Sequence, residues 1–162
     1  MQDGLKRRLK IGAVIFGIWT AIGLFFFSQS LGQMAVSRDP TPWWHSLTGW
    51  LTGVYINALL TPVILWLGSR FPFERRNWLR RAALHLAFSI SFAAIQLVVE
   101  SAILPRLGVF PLLMRTFAST LVFLAMIAFH QNVLTYWTIL GIQYGIGYYR
   151  RYQEREQQAL RL

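Results

Sequence analysis

The sequence predicts an all-α fold: an integral membrane four-helix bundle with both termini cytoplasmic and a last helix that extends into the cytoplasm. Three observations predict it. Of 162 residues, 55% are hydrophobic and 14% are charged, against about 25% charged in ordinary soluble domains. The apolar residues gather in long runs rather than at amphipathic spacing, the pattern of membrane spans. The formal charge of +10 is concentrated on alternate sides of those runs.

The first run, Ile11 to Phe27, follows the basic arm Lys6, Arg7, Arg8 and Lys10. Including their flanks, the four expected spans are residues 11–30, 45–68, 83–104 and 112–148, which make a membrane module of residues 1–149. A helix rises about 1.5 Å per residue and the hydrocarbon core is about 30 Å thick, so some 20 residues suffice for a crossing. All four runs meet that length, and the fourth exceeds it. The arm and first run also have the form of a signal peptide, but Gln29 to Met34 matches an alanine-rich cleavage site poorly, which favours an uncleaved span.

Orientation follows from Lys and Arg. The N-terminal arm, the segment Arg70 to Arg81 and the tail after Tyr149 hold four, five and four, whereas Arg38, Arg106 and Arg115 are the three in the other two connections. The excess of positive charge marks the cytoplasmic side, which puts both ends and the middle loop there. Arg70, Arg75, Arg76, Arg80 and Arg81 form a basic loop placed to meet anionic headgroups. Trp43, Trp44, Trp50, Trp78, Tyr148, Tyr149 and Tyr152 fall at span ends, where aromatic side chains anchor in the headgroup region. With the cations used in this way, a nucleic-acid partner is not expected, since that needs a basic face with stacking aromatics. The lipid bilayer is the expected partner.

Connections are too short to hold a domain, which needs roughly 50 residues, so any stimulus must be met in or at the membrane. Polar side chains inside the spans are the candidates. In the third span His85, Ser89, Gln96 and Glu100 share one helical face, and in the second Gly49, Gly53, Asn57 and Thr61 make a small, polar stripe. The fourth carries His130, Gln131 and Asn132 in succession, with Thr135 and Thr138 on the face of Gln131. Such groups are costly in hydrocarbon and turn to the bundle interior, either as hydrogen-bonding glue or as functional groups. Gln96, Glu100, His130 and Gln131 form the candidate intramembrane cluster. Glu100 lies sixteen residues from the inner end of its span and His130 roughly 18–27 Å above the inner boundary; the depths are comparable, and a contact between them is expected.

Several chemistries lack residues. There is no cysteine, so no thiolate site or disulfide is expected. His85 and His130 lie at different depths, which argues against a haem between them, and Glu100 with His130 supplies two ligands where zinc needs three or four. No nucleophile triad, paired carboxylates or phosphate loop is present, and neither a catalytic residue, a metal nor any other cofactor is expected.

The segment from Thr61 to His85 carries Thr61-Pro62, Arg70-Phe71-Pro72, Glu74-Arg75-Arg76, Trp78 and His85. It resembles the central loop of the four-span membrane region of LytS/YehU-type bacterial sensor histidine kinases. In that family the last span continues as a cytoplasmic helix rich in Glu, Gln, Ala, Arg and Leu, as residues 150–162 do here. Tyr148, Arg155 and Leu162 lie seven apart, as do Tyr152 and Ala159. That spacing is compatible with the opening of a parallel coiled coil and also with a short solvated helix. The resemblance implies a bacterial inner-membrane input and dimerisation module that works as a homodimer. It further implies a response regulator reached only through a kinase core. The family's Pro-His-Phe-Leu-Phe-Asn phosphoacceptor motif and its ATP-binding domain are not in this sequence, so the chain is expected to be the front part of such a kinase. A small transporter or channel, and a non-catalytic scaffold, are the other readings that the same spans allow.

Overall fold

A computed structural model describes residues 2–74, 76–109 and 116–160. Four helices account for nearly all of them: α1 (Gln2–Ser37), α2 (Trp43–Arg70), α3 (Trp78–Ile103) and α4 (Phe117–Leu160). All four are long and apolar enough to cross a membrane, which marks the chain as a multi-pass membrane protein. Arg75, Leu162, the side chain of Ala159 and the first residues of the expected fourth span, 112–115, lie outside the described residues.

The helices overrun the expected spans. α1 contains 36 residues and α4 44, about 54 Å and 66 Å at 1.5 Å per residue. α1 takes in the basic arm, and it also takes in most of the connection that the apolar pattern left outside, because Ser28 to Ser37 holds no proline. It stops where the backbone forces it to. Arg38 adopts φ 52°, the Asp39 N–H donates to Met34 O at 3.1 Å, and Pro40 and Pro42 bar continuation. A left-handed residue with a bond spanning five positions is the Schellman termination, made here without glycine. Asp39 then accepts from the Thr41 N–H and hydroxyl at 2.9 and 2.6 Å, closing a turn of five residues before α2.

The expected basic loop is in part helical. Arg70 ends α2, Arg76 lies in the turn, and Arg80 and Arg81 occupy the first turns of α3. The guanidinium groups of Arg70 and Arg81 sit 5.8 and 5.5 Å from the ring centre of Phe71, within cation–π range. Trp43, Trp44 and Trp78 are exposed at helix starts, and Tyr148, Tyr149 and Tyr152 are exposed on α4, which continues past them to Leu160. Trp50 is instead turned inward, stacking on Phe26 and donating to Ser30 Oγ at 2.7 Å.

Packing divides the chain into two hairpins. α1 packs on α2, and α3 packs on α4; α2 joins the pairs by touching both α3 and α4, whereas α1 touches neither. Ile64, Phe92, Tyr136 and Leu140 form the centre between α2, α3 and α4, and Leu97, Leu104 and Leu124 a second cluster toward the other end. Gly68 lets α4 approach: a methyl group there would stand 2.7 Å from Leu140 Cδ1 and would overlap Gln143. Large apolar side chains such as Val14, Phe25, Leu59 and Met126 face outward, as they do when the surrounding solvent is itself apolar. The bundle is therefore open on one side, between α1 and α4.

Candidate functional site

The opening is a cleft of about 1230 Å³, at or above the upper end of ligand-sized cavities, which run to roughly 1,000 Å³. α1 supplies an apolar wall of Ile15, Ile18, Trp19, Ile22 and Phe26. α2 lies at the back with Trp50 and with Gly49, Gly53, Asn57 and Thr61, the stripe whose period of four was legible in the sequence. α4 makes the second wall with Ile127, Gln131, Thr135, Ile139 and Ile142. Two α3 side chains, Gln96 and Glu100, reach the same space.

The face of α3 is as its spacing predicts. His85 and Ser89 are fully buried, with Gln96 at 2% and Glu100 at 7% exposure. Gln96 Nε2 donates to Glu100 Oε1 at 2.9 Å and to Gly53 O at 3.3 Å. A methyl group on Gly53 would come within 3.1 Å of Glu100 Oε1, so the glycine is what admits the carboxyl between the helices.

The expected contact between Glu100 and His130 is not formed. His130 is exposed, away from the cleft. Two residues on a helix lie about 160° apart around its axis, so burying Asn132 at 6% exposure turns His130 outward. Gln131 lines the cleft but is largely exposed, and Thr135 and Thr138 bond back to their own helix, at Gln131 O and Leu134 O, both 2.9 Å. Of the four candidate residues, the structure thus unites Gln96 and Glu100, sets Gln131 on the rim and removes His130.

Sequence reasoning missed a feature of this cleft. Asn57 Oδ1, Gln96 Oε1, Asn132 Nδ2 and Gln143 Oε1 are buried polar atoms with no hydrogen-bond partner, and all four residues line the cleft. An unpaired buried polar atom costs about 1–3 kcal/mol, so four around one cavity are a standing demand for a partner. The i, i+4 pattern identified Asn57 and Gln96 but could not tell which of their atoms would remain unpaired.

A second polar knot lies at the opposite end. His85 Nδ1 is 2.7 Å from the Tyr136 hydroxyl, and its Nε2 is 2.9 Å from Phe71 O. Tyr144 donates to Gly68 O at 3.0 Å and accepts from the Phe73 N–H at 3.3 Å, while Gln143 Nε2 donates to Leu65 O at 2.8 Å. The segment between α2 and α3 is therefore stitched to α4 by side chains of α3 and α4.

No family model, no curated protein and no solved structure matches the chain. The class defined by fold and site is a multi-pass membrane protein whose described residues form four long apolar helices with a cleft between α1 and α4.

Proposed function

We propose that the chain is the membrane input and dimerisation module of a two-component sensor histidine kinase of the LytS/YehU type. In this reading both termini are cytoplasmic in a bacterial inner membrane, and α4 passes the signal to a kinase core that is not in this sequence. The supporting observation is α4 itself. One unbroken 44-residue helix walls the cleft at Ile127 to Ile142, holds the polar knot at Tyr136 and Tyr144, and continues to Leu160. A stimulus in the cleft and an output at residues 150–160 would act on the same rigid element, which allows two bundle states to be read out at its end.

Dimerisation has its own support. Gly141 and Gly145 lie one heptad before Tyr148 and Tyr152, and a methyl group on either glycine would meet nothing within 4 Å. Tyr148, Tyr152 and Arg155 continue the same exposed seam. A second copy packing there would cover the seam without disturbing the cleft.

The test is to join residue 162 to a histidine kinase core lacking its own input and to measure autophosphorylation in membrane vesicles as one to seven residues are inserted at the junction. Activity that rises and falls with the helical period supports relay through α4; indifference to insertion refutes it. The lateral cleft also favours a second reading, a small transporter. That reading predicts solute flux in proteoliposomes that survives removal of Arg155 to Leu162, whereas a sensor loses its output with that segment.

A further inference from the structure

The buried unpaired side-chain atoms around the cleft are mostly hydrogen-bond acceptors. Nε2 of Gln96 and of Gln143 is each committed to a backbone carbonyl, so the unpaired atom of each is a carbonyl oxygen, which can only accept. Asn57 Oδ1 is a third such acceptor. Beside them stands the Glu100 carboxyl, which takes one amide proton from Gln96 and, among the described residues, has no Lys, Arg or His partner. Arg150 is the one Lys or Arg among the described residues lining the cleft; on α4 it lies seven residues beyond Gln143, about 10 Å along the helix, and 18 beyond Asn132, about 27 Å. Among the buried unpaired atoms of the described residues lining the cleft, the one donor is Asn132 Nδ2.

The walls add two requirements. Ile15, Ile18, Ile22, Ile139 and Ile142 are aliphatic and the opening lies between α1 and α4, so an occupant carries an apolar body. Trp50, stacked on Phe26 with ring centres 4.9 Å apart, lies one turn from Gly53, against which Glu100 rests. Aromatic faces beside a carboxyl favour a cation.

We propose that the cleft binds a membrane-soluble organic amine: an apolar chain or ring system whose protonated amine donates to the Glu100 carboxyl. An anionic head finds no cation near this carboxyl. A neutral hydroxyl can donate to the carboxyl but leaves it without a counter-charge, whereas an ammonium supplies the donor and the charge together. The assignment rests on reading the cleft as an input site; because binding is measured without any kinase core, failure to bind and failure to relay are separate results.

The experiment uses the full chain in dioleoylphosphatidylcholine nanodiscs and a hexadecylamine bearing a diazirine in its tail. Saturable photolabelling on α1 and α4 is expected, with unlabelled hexadecylamine competing at least tenfold better than hexadecanol and palmitate not competing. Glu100→Gln keeps the shape and the bond from Gln96 and is expected to lower labelling at least tenfold. Ile127→Trp, at a rim position that is 50% exposed, is expected to block entry while leaving the unfolding temperature of the chain unchanged. Labelling that does not saturate, competition by hexadecanol equal to that by the amine, or equal labelling of Glu100→Gln and the native chain would overturn the assignment.

Discussion

At the residue scale, the two histidines of the spans exchange the importance that their positions imply. His130 sits beside two other polar residues and is exposed; His85 sits near a helix start and is fully buried between Tyr136 and Phe71. Replacing His85 with Leu strands the Tyr136 hydroxyl and a backbone carbonyl and is expected to destabilise the chain by about 1–2 kcal/mol. His130→Leu is expected to stay within about 0.5 kcal/mol. Thermal unfolding of both variants in detergent checks this; equal losses would mean that α4 is rotated from the position described. In the connection after α1, the Thr41 hydroxyl first and its N–H second hold the Asp39 carboxyl below its ordinary value. A depressed carboxylate favours the turn at pH above the unfolded value, and that preference fades as pH falls through the folded one. Thr41→Val is expected to move the Asp39 titration upward, read by carboxyl NMR of the chain in detergent.

At the element scale, glycine means different things on different helices. Gly68 sits where α2 meets α4, and Gly68→Ala would press on Leu140 and Gln143; a loss of about 1–3 kcal/mol is expected in thermal unfolding. A Cβ at Gly141 or Gly145 meets nothing within 4 Å in the single chain, so Gly141→Ala and Gly145→Ala are expected to leave its unfolding unchanged and to weaken dimer formation in membranes. Because the chain has no native cysteine, single cysteines from 141 to 160 report the seam directly. Disulfide yields are expected to peak at 141, 145, 148, 152, 155 and 159; a flat profile removes the parallel dimer. The element boundaries that the sequence misplaced share one cause. An apolar run marks where hydrocarbon ends, whereas a helix ends where its backbone is interrupted, as at Arg38 with φ 52° or beyond Arg70 at Pro72.

At the scale of the whole molecule, α1 is an attached helix rather than a member of the core. It is tied to α2 by Trp19 Nε1 donating to Thr61 Oγ1 at 2.9 Å, by Trp50 on Ser30, and by Gly23, where a methyl group would stand 2.8 Å from Val54 Cγ2. With α1 held on one side alone, the cleft can widen or narrow by movement of α1 against α2, without breaking the packing of α2, α3 and α4. The far end of α4 is equally independent: Arg151 to Gln158 are exposed. Removing residues 151–162 is expected to change the unfolding temperature by no more than a surface substitution does, within about 0.5 kcal/mol, while silencing output in the kinase fusion. A large loss of stability on truncation would mean that the tail packs on the membrane module.

The sequence by itself determined the all-helical membrane class, the existence of four long apolar helices, and the buried polar faces of α2 and α3, because hydropathy and helical period are local properties of a chain. It also picked out Gln96 with Glu100, since residues four apart on one helix are bound to be neighbours. Only the tertiary structure decided that His130 turns away, that His85 joins Phe71 to Tyr136, and that α1 stands apart from α4 to leave a cleft. Those outcomes depend on how each helix is rotated and which neighbour it meets. In lipid that choice is made by close packing and interhelical hydrogen bonds between residues distant in sequence, such as Gly68 with Gln143 and Gly53 with Glu100, and no periodicity within a single helix records it.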